Sequence, residues 1–199
     1  HRYSASKGIP GLRKAISHYY ERRFNVAIDP DSEAIVTLGS KEGLANLASA
    51  VTSPGDVILV PNPSYPIHQF GFIIAGAAVR NVPVVPDADY LKALETAVMH
   101  SIPKPTALVL NYPKNPTALC ADLDFYGQVV EFCRHHGIYI LSDLAYAELY
   151  FDGTPPPSIL SIPGARDIAV EFTSMSKTYS MPGWRIGFAA GNKHLVASL

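Results

Sequence analysis

Apolar residues come in two alternating rhythms along the chain. Short, largely apolar runs predict strands over Ala34 to Leu38, Val57 to Val60, Ala78 to Val82, Ala107 to Leu110, Ile138 to Leu141, Ile168 to Phe172 and Ile186 to Ala190. Between them the period lengthens to that of a helix. Gly11 to Phe24 carries Leu12, Ile16, Tyr19 and Tyr20 on one side, and Lys41 to Val51 carries Leu44, Leu47, Ala48 and Val51. Helices are also predicted over Ser64 to Ala75, over Tyr90 to His100 before Pro103 and Pro105, and over Leu123 to His136 before Gly137. Strands apolar throughout suit a sheet covered on both faces. The pattern predicts an α/β fold: a three-layer α/β/α sandwich around a mainly parallel sheet of about seven strands. Pro155, Pro156 and Pro157 mark a loop too short to divide domains, so 1–199 reads as one unit.

In such sheets ligands bind beyond the carboxyl ends of the strands. Five predicted strand ends carry polar clusters. They are Gly39-Ser40-Lys41, Asn62-Pro63-Ser64-Tyr65-Pro66, Asn111 to Thr117, Ser142-Asp143-Leu144-Ala145-Tyr146 and Ser174-Met175-Ser176-Lys177. Lys177 stands among small hydroxyl residues, with Arg185 eight positions on in Gly183-Trp184-Arg185-Ile186-Gly187. A lysine amine can form a Schiff base with an aldehyde. Hydroxyls and a guanidinium can bind a phosphate. Pyridoxal phosphate carries both groups.

The other clusters add to that expectation, each with a plainer alternative. Ser40 opens a helix, where free N–H groups favour an anion, or it is only a cap. Asp143 ends an apolar run. Its carboxylate needs a partner, either a pyridine nitrogen or an internal cation. Tyr65, stiffened between prolines, suits stacking on a flat ring or a place in the core. Asn115 and Tyr146 are candidate donors to a phenolate oxygen, or turn and core residues.

Composition removes other classes. Sixteen basic and seventeen acidic residues leave a net charge of −1, which offers no basic stripe for nucleic acid. No apolar run approaches the ~20 residues of a membrane span, and the N-terminus lacks a signal-peptide layout. Cys120 and Cys133 lack a metal-type spacing and read as reduced thiols of a cytoplasmic protein. His135-His136 has no evident third ligand, so no metal site is expected.

The order Tyr3…Gly8, Ser40-Lys41, Pro63-Ser64-Tyr65-Pro66, Asn115-Pro116-Thr117, Asp143…Tyr146 and Ser174-Met175-Ser176-Lys177…Arg185 resembles class I/II aminotransferases of fold type I. The stretches Gly39 to Leu44, Pro61 to His68 and Met181 to Gly187 look closest to the bacterial alanine (glutamate–pyruvate) aminotransferase subgroup. The resemblance implies pyridoxal 5'-phosphate as cofactor and Lys177 as catalytic Schiff-base lysine. It implies Asp143 on the pyridine nitrogen, Tyr65 on the ring, and Asn115 and Tyr146 on the 3′ oxygen. Ser40, Lys41, Ser174 and Arg185 would hold the phosphate. Tyr3 would reach the neighbouring subunit's site in a homodimer. The implied reaction is transamination between a small amino acid of alanine or glutamate type and a 2-oxo acid. Other chemistry of the same fold remains open: a β-lyase, an LL-diaminopimelate or aspartate aminotransferase, or a non-catalytic sensor domain. Family members run about twice this length, so 1–199 is expected to be the large domain, without the N-terminal arm and small domain.

Overall fold

The computed structural model describes residue 3, residues 5–84 and residues 89–199. Among the described residues, seven strands form one sheet: β1 (Ala34–Thr37), β2 (Val57–Asn62), β3 (Ala78–Pro83), β4 (Pro105–Asn111), β5 (Tyr139–Asp143), β6 (Ala169–Ser174) and β7 (Gly187–Gly191). Their spatial order is β1-β7-β6-β5-β4-β2-β3. The pairs from β3 through β6 are parallel, while β7 runs antiparallel to both β1 and β6. This is the mainly parallel α/β sheet expected. The reversal of β7 was not legible in the apolar run, yet it matters: the segment entering β7 starts at the edge where the parallel strands end.

The two-residue strand period separates two cores. Leu108, Leu110, Ile140 and Phe188 face one side, with Ile16 and Tyr20 of α1 (Pro10–Phe24), Leu94 of α4 (Tyr90–Met99) and Val129 of α5 (Leu123–His136). Ile58, Val60, Val109, Leu141 and Phe172 face the other side. There they meet Leu44 and Leu47 of α2 (Ser40–Val51), Phe72 of α3 (Ile67–Ile74) and Leu195 of α7 (Lys193–Ala197). Burying each such side chain contributes about 1.5–3 kcal/mol. Helix ends are set locally. The Asp122 carboxylate accepts from Phe125 N at 2.8 Å to start α5, and Gly137, at φ 68°, ends it.

Two expectations need correction. The helix expected over Ser64 to Ala75 covers only Ile67–Ile74, because Pro63 and Pro66 hold the preceding residues in a turn. β3 is not buried on both faces. It is an edge strand with Arg80 and Asn81 in it, and most of its positions are exposed or half-buried.

Candidate active site

Ser40, Lys41, Tyr65, Asn115, Asp143, Tyr146, Ser174, Lys177 and Arg185 all line one cavity of roughly 160 Å³ at the carboxyl edge of the sheet. The strand ends of β1, β2, β4, β5 and β6 deliver them, and the antiparallel β7 brings Arg185 to the same edge. Tyr3 is the predicted residue outside this group: it is wholly exposed.

The anion end of the cavity is built by close backbone approach. Gly39, at φ 91°, leads into α2, whose free N–H groups and dipole favour an anion. Ser40 is the first helical residue, not the cap; Gly39 takes that place. A Cβ on Gly39 would lie 2.7 Å from Arg185 Nη2. The missing side chain therefore makes room for the guanidinium. Arg185 itself sits at φ 51°, a left-handed conformation that costs a non-glycine residue about 1–3 kcal/mol. Its Nη1 donates to Pro182 O at 3.1 Å and Ser176 Oγ at 3.4 Å. Among the described residues, no carboxylate pairs with Lys41, Lys177 or Arg185. Three uncompensated cations thus converge beside a helix N-terminus.

The same cavity carries an acid. Asp143 is buried; its Oδ1 accepts from Ala145 N at 3.2 Å and its Oδ2 lies 2.9 Å from His68 Nε2. His68 is completely buried and its Nδ1 has no partner. Sequence reasoning missed this imidazole. The available signal was a histidine three residues after Tyr65, on the inner face of an otherwise apolar helix. Asp143 therefore already has an internal partner, while keeping lone-pair capacity toward the cavity.

The flat and amine-bearing groups line the same cavity. Tyr65 lies edge-on to His68, with ring centroids 6.0 Å apart. Lys41 Nζ is 5.9 Å from the Tyr65 ring centroid. Lys177 is carried by the short helix α6 (Met175–Thr178), which Ser174 caps by accepting from Ser176 N at 3.3 Å. Its Nζ is 6.0 Å from the Tyr146 ring centroid. Asn115 Nδ2 donates to Tyr146 Oη at 3.3 Å, so two separate strand ends share one polar edge. Asn111, which the sequence places in the same polar cluster without a role, pins that edge. Its Oδ1 accepts from Asn115 N at 2.9 Å while its Nδ2 donates to Asp143 O at 3.0 Å.

These groups suit a planar, phosphorylated aldehyde. The cup holds unpaired cations and a cradle that a single Cβ would fill, the buried carboxylate keeps lone-pair capacity, and the amine lines the same cavity.

Fold and site together define an α/β protein whose cavity at the carboxyl edge of the sheet gathers Lys41, Lys177 and Arg185 beside the buried Asp143. The chain belongs to the aminotransferases of class I and II: the family model matches residues 1–199. It is 62% identical over all of its 199 residues to AatC of Rhizobium meliloti (strain 1021), named as an aminotransferase, covering 49% of that protein. It is 55% identical over the same length to the glutamate-pyruvate aminotransferase AlaC of Escherichia coli (strain K12), covering 48% of it. The substrate-bound structure of BacF from Bacillus subtilis superposes on the whole chain with a TM-score of 0.92 at 35% identity, over 50% of that chain. The chain spans about half the length of the curated relatives it matches.

Proposed function

We propose that residues 1–199 form the cofactor-binding large domain of a pyridoxal-phosphate-dependent aminotransferase. Its substrates are a small amino acid of alanine or glutamate type and a 2-oxo acid. One observation carries the reading: Lys177, Asp143 and the Arg185–Ser40 cup meet in a single cavity from four separate segments. The name of the relative AlaC supports the substrate class. Exposed Tyr3 is free to enter the phosphate site of a second copy, as a homodimer requires. A cytoplasmic setting suits the unpaired Cys120 and Cys133.

In this reading Ser40, Lys41, Ser174 and Arg185 hold the phosphate through charge-assisted hydrogen bonds. Tyr65 covers one face of the ring. Asp143, held in place by His68 and Ala145 N, is the carboxylate that would hold a proton on the cofactor's pyridine nitrogen. Asn115 and Tyr146 orient the ring through its 3′ oxygen. The bound cofactor supplies an electron sink for the substrate α-carbon. The Lys177 amine would hold the bound cofactor through its aldehyde carbon. Its Nζ is the base that would move a proton at the substrate α-carbon.

The test is a spectroscopic titration. Pyridoxal phosphate should bind with a visible absorbance band, and alanine or glutamate should then shift it. Binding without any response to either amino acid would overturn the transamination reading. Ammonia and pyruvate released without glutamate, when alanine and 2-oxoglutarate are supplied, would favour a lyase.

A further inference from the structure

Glu171 lies wholly buried in the middle of β6. Its Oε1 accepts from Ser158 Oγ at 2.6 Å and from the Tyr20 hydroxyl at 3.0 Å. Its Oε2 accepts from Ser142 Oγ and from Ile159 N, each at 3.2 Å. The donors come from α1, from β5 and from the turn that opens the 3-10 segment Ile159–Ser161. None is a cation. A carboxylate taken out of water without a counter-charge costs several kcal/mol, and a well-packed apolar side chain in its place is often neutral or stabilising.

Its location indicates what offsets that cost. In the sheet register Glu171 stands opposite Ser142, and Phe172 stands opposite Asp143. Leu144 N donates to Phe172 O at 2.8 Å just beyond. The same strand runs on through Ser174, the cap of the helix carrying Lys177. One buried carboxylate thus clasps the two strands that deliver the acid and the amine of the cavity.

We propose that Glu171 is a positioning residue that sets the placement of Asp143 relative to Lys177 through its bonds to Ser142, Ser158, Ile159 and Tyr20. The proposal rests on the aminotransferase reading of the cavity. The clasp is also proton-sensitive. Burial pushes the Glu171 carboxyl up to about 7, against hydrogen bonds that pull it down. Ionised, it takes all four donors. Protonated, it must itself donate, and one hydroxyl must turn to accept. The titratable groups facing it are the phenols of Tyr19 and Tyr20 on α1 and Tyr126 on α5, all raised by burial. Beyond Tyr19 lies the Arg23–Glu148 ion pair.

The test compares the wild-type chain with Glu171→Gln and Glu171→Leu from pH 6 to 8.5. Pyridoxal-phosphate affinity is read by absorbance, stability by urea, and amide protection at Leu144 and Met175 by hydrogen exchange without cofactor. Met175 N donates to Ile186 O at the entry to the lysine helix, so both amides report strand placement. In the wild type, affinity and protection should change together through pH 7. Glu171→Gln should flatten both profiles. Glu171→Leu should keep a urea midpoint at or above wild type yet bind the cofactor about 10-fold more weakly, as a loosened site does. A Leu variant that is less stable but binds with unchanged affinity would overturn the proposal, and so would a Gln variant that keeps the wild-type pH profile. If the wild type binds no pyridoxal phosphate, the functional reading fails, and exchange alone decides: Leu144 protection identical in all three proteins at every pH overturns the positioning role.

Discussion

Gly187→Ala is the sharpest structural perturbation of the anion cup. Gly187 opens β7, opposite Thr37 of β1 and Ser174 of β6, and backs onto the loop that begins α2. An added Cβ would lie 2.7 Å from Gly39 C, 2.7 Å from Thr173 O and 2.8 Å from Gly39 Cα. Carbon contacts relax at about 3.5–4.0 Å, so backbone on both sides must give by nearly an ångström. Overpacking of this kind costs about 1–3 kcal/mol. The yielding element is the Gly39-Ser40 loop, so the cup opens. Losing one charge-assisted hydrogen bond to a phosphate, about 1.5–3 kcal/mol, means roughly a 10- to 150-fold weaker affinity. Urea unfolding and a pyridoxal-phosphate titration measure the two effects. Gly127→Ala is the matched control: Gly127 lies inside α5 with nothing within 4 Å of the new Cβ. That change should stabilise by about 0.5–1 kcal/mol. A Gly187→Ala protein with wild-type urea midpoint and wild-type cofactor affinity would refute the reasoning.

Arg185→Lys keeps the charge but loses the planar fork, and pyridoxal-phosphate affinity should fall by roughly 10- to 100-fold. Binding of pyridoxal, which lacks the phosphate, should be unaltered; equal losses for both ligands would show that Arg185 supports the fold instead. Stability should also depend on Glu171. Its carboxyl is raised from 4.5 to about 7 in the folded chain, so the folded state holds that proton more tightly than the unfolded one. Its stabilising contribution is full below pH 4.5 and is lost as pH rises through 7, a change of about 3 kcal/mol. The urea-derived unfolding free energy of the wild type should decline across that window more than that of Glu171→Gln; parallel curves would contradict the assignment.

The fold and most of the cavity were legible because both follow from local patterns. Apolar runs such as Val57 to Val60 can be buried only between two helical layers, and in that architecture the polar residues after each run must meet at one edge. Ser40, Tyr65, Asn115, Asp143 and Lys177 were placed by this logic alone. What escaped depends on contacts far apart in the chain. His68 meets Asp143 across 75 residues, and nothing local marks it as more than a histidine on an apolar helix. Glu171 was passed over inside the apolar run Ile168 to Phe172. Its four donors lie on segments that only the folded sheet assembles. An acid within a doubly covered strand was the overlooked signal. β3 carries Arg80 and Asn81 between Val79 and Val82, and only β2 pairs with it; that polar pair was the unread sign of an edge strand.

The central claim is that Lys177 is the amine that bonds the cofactor. Borohydride reduction of the chain mixed with pyridoxal phosphate, followed by peptide mass mapping, tests it directly. The account predicts one dominant pyridoxyl adduct, on Lys177, and its disappearance in Lys177→Ala. A dominant adduct on Lys41, or undiminished trapping in Lys177→Ala, would contradict it.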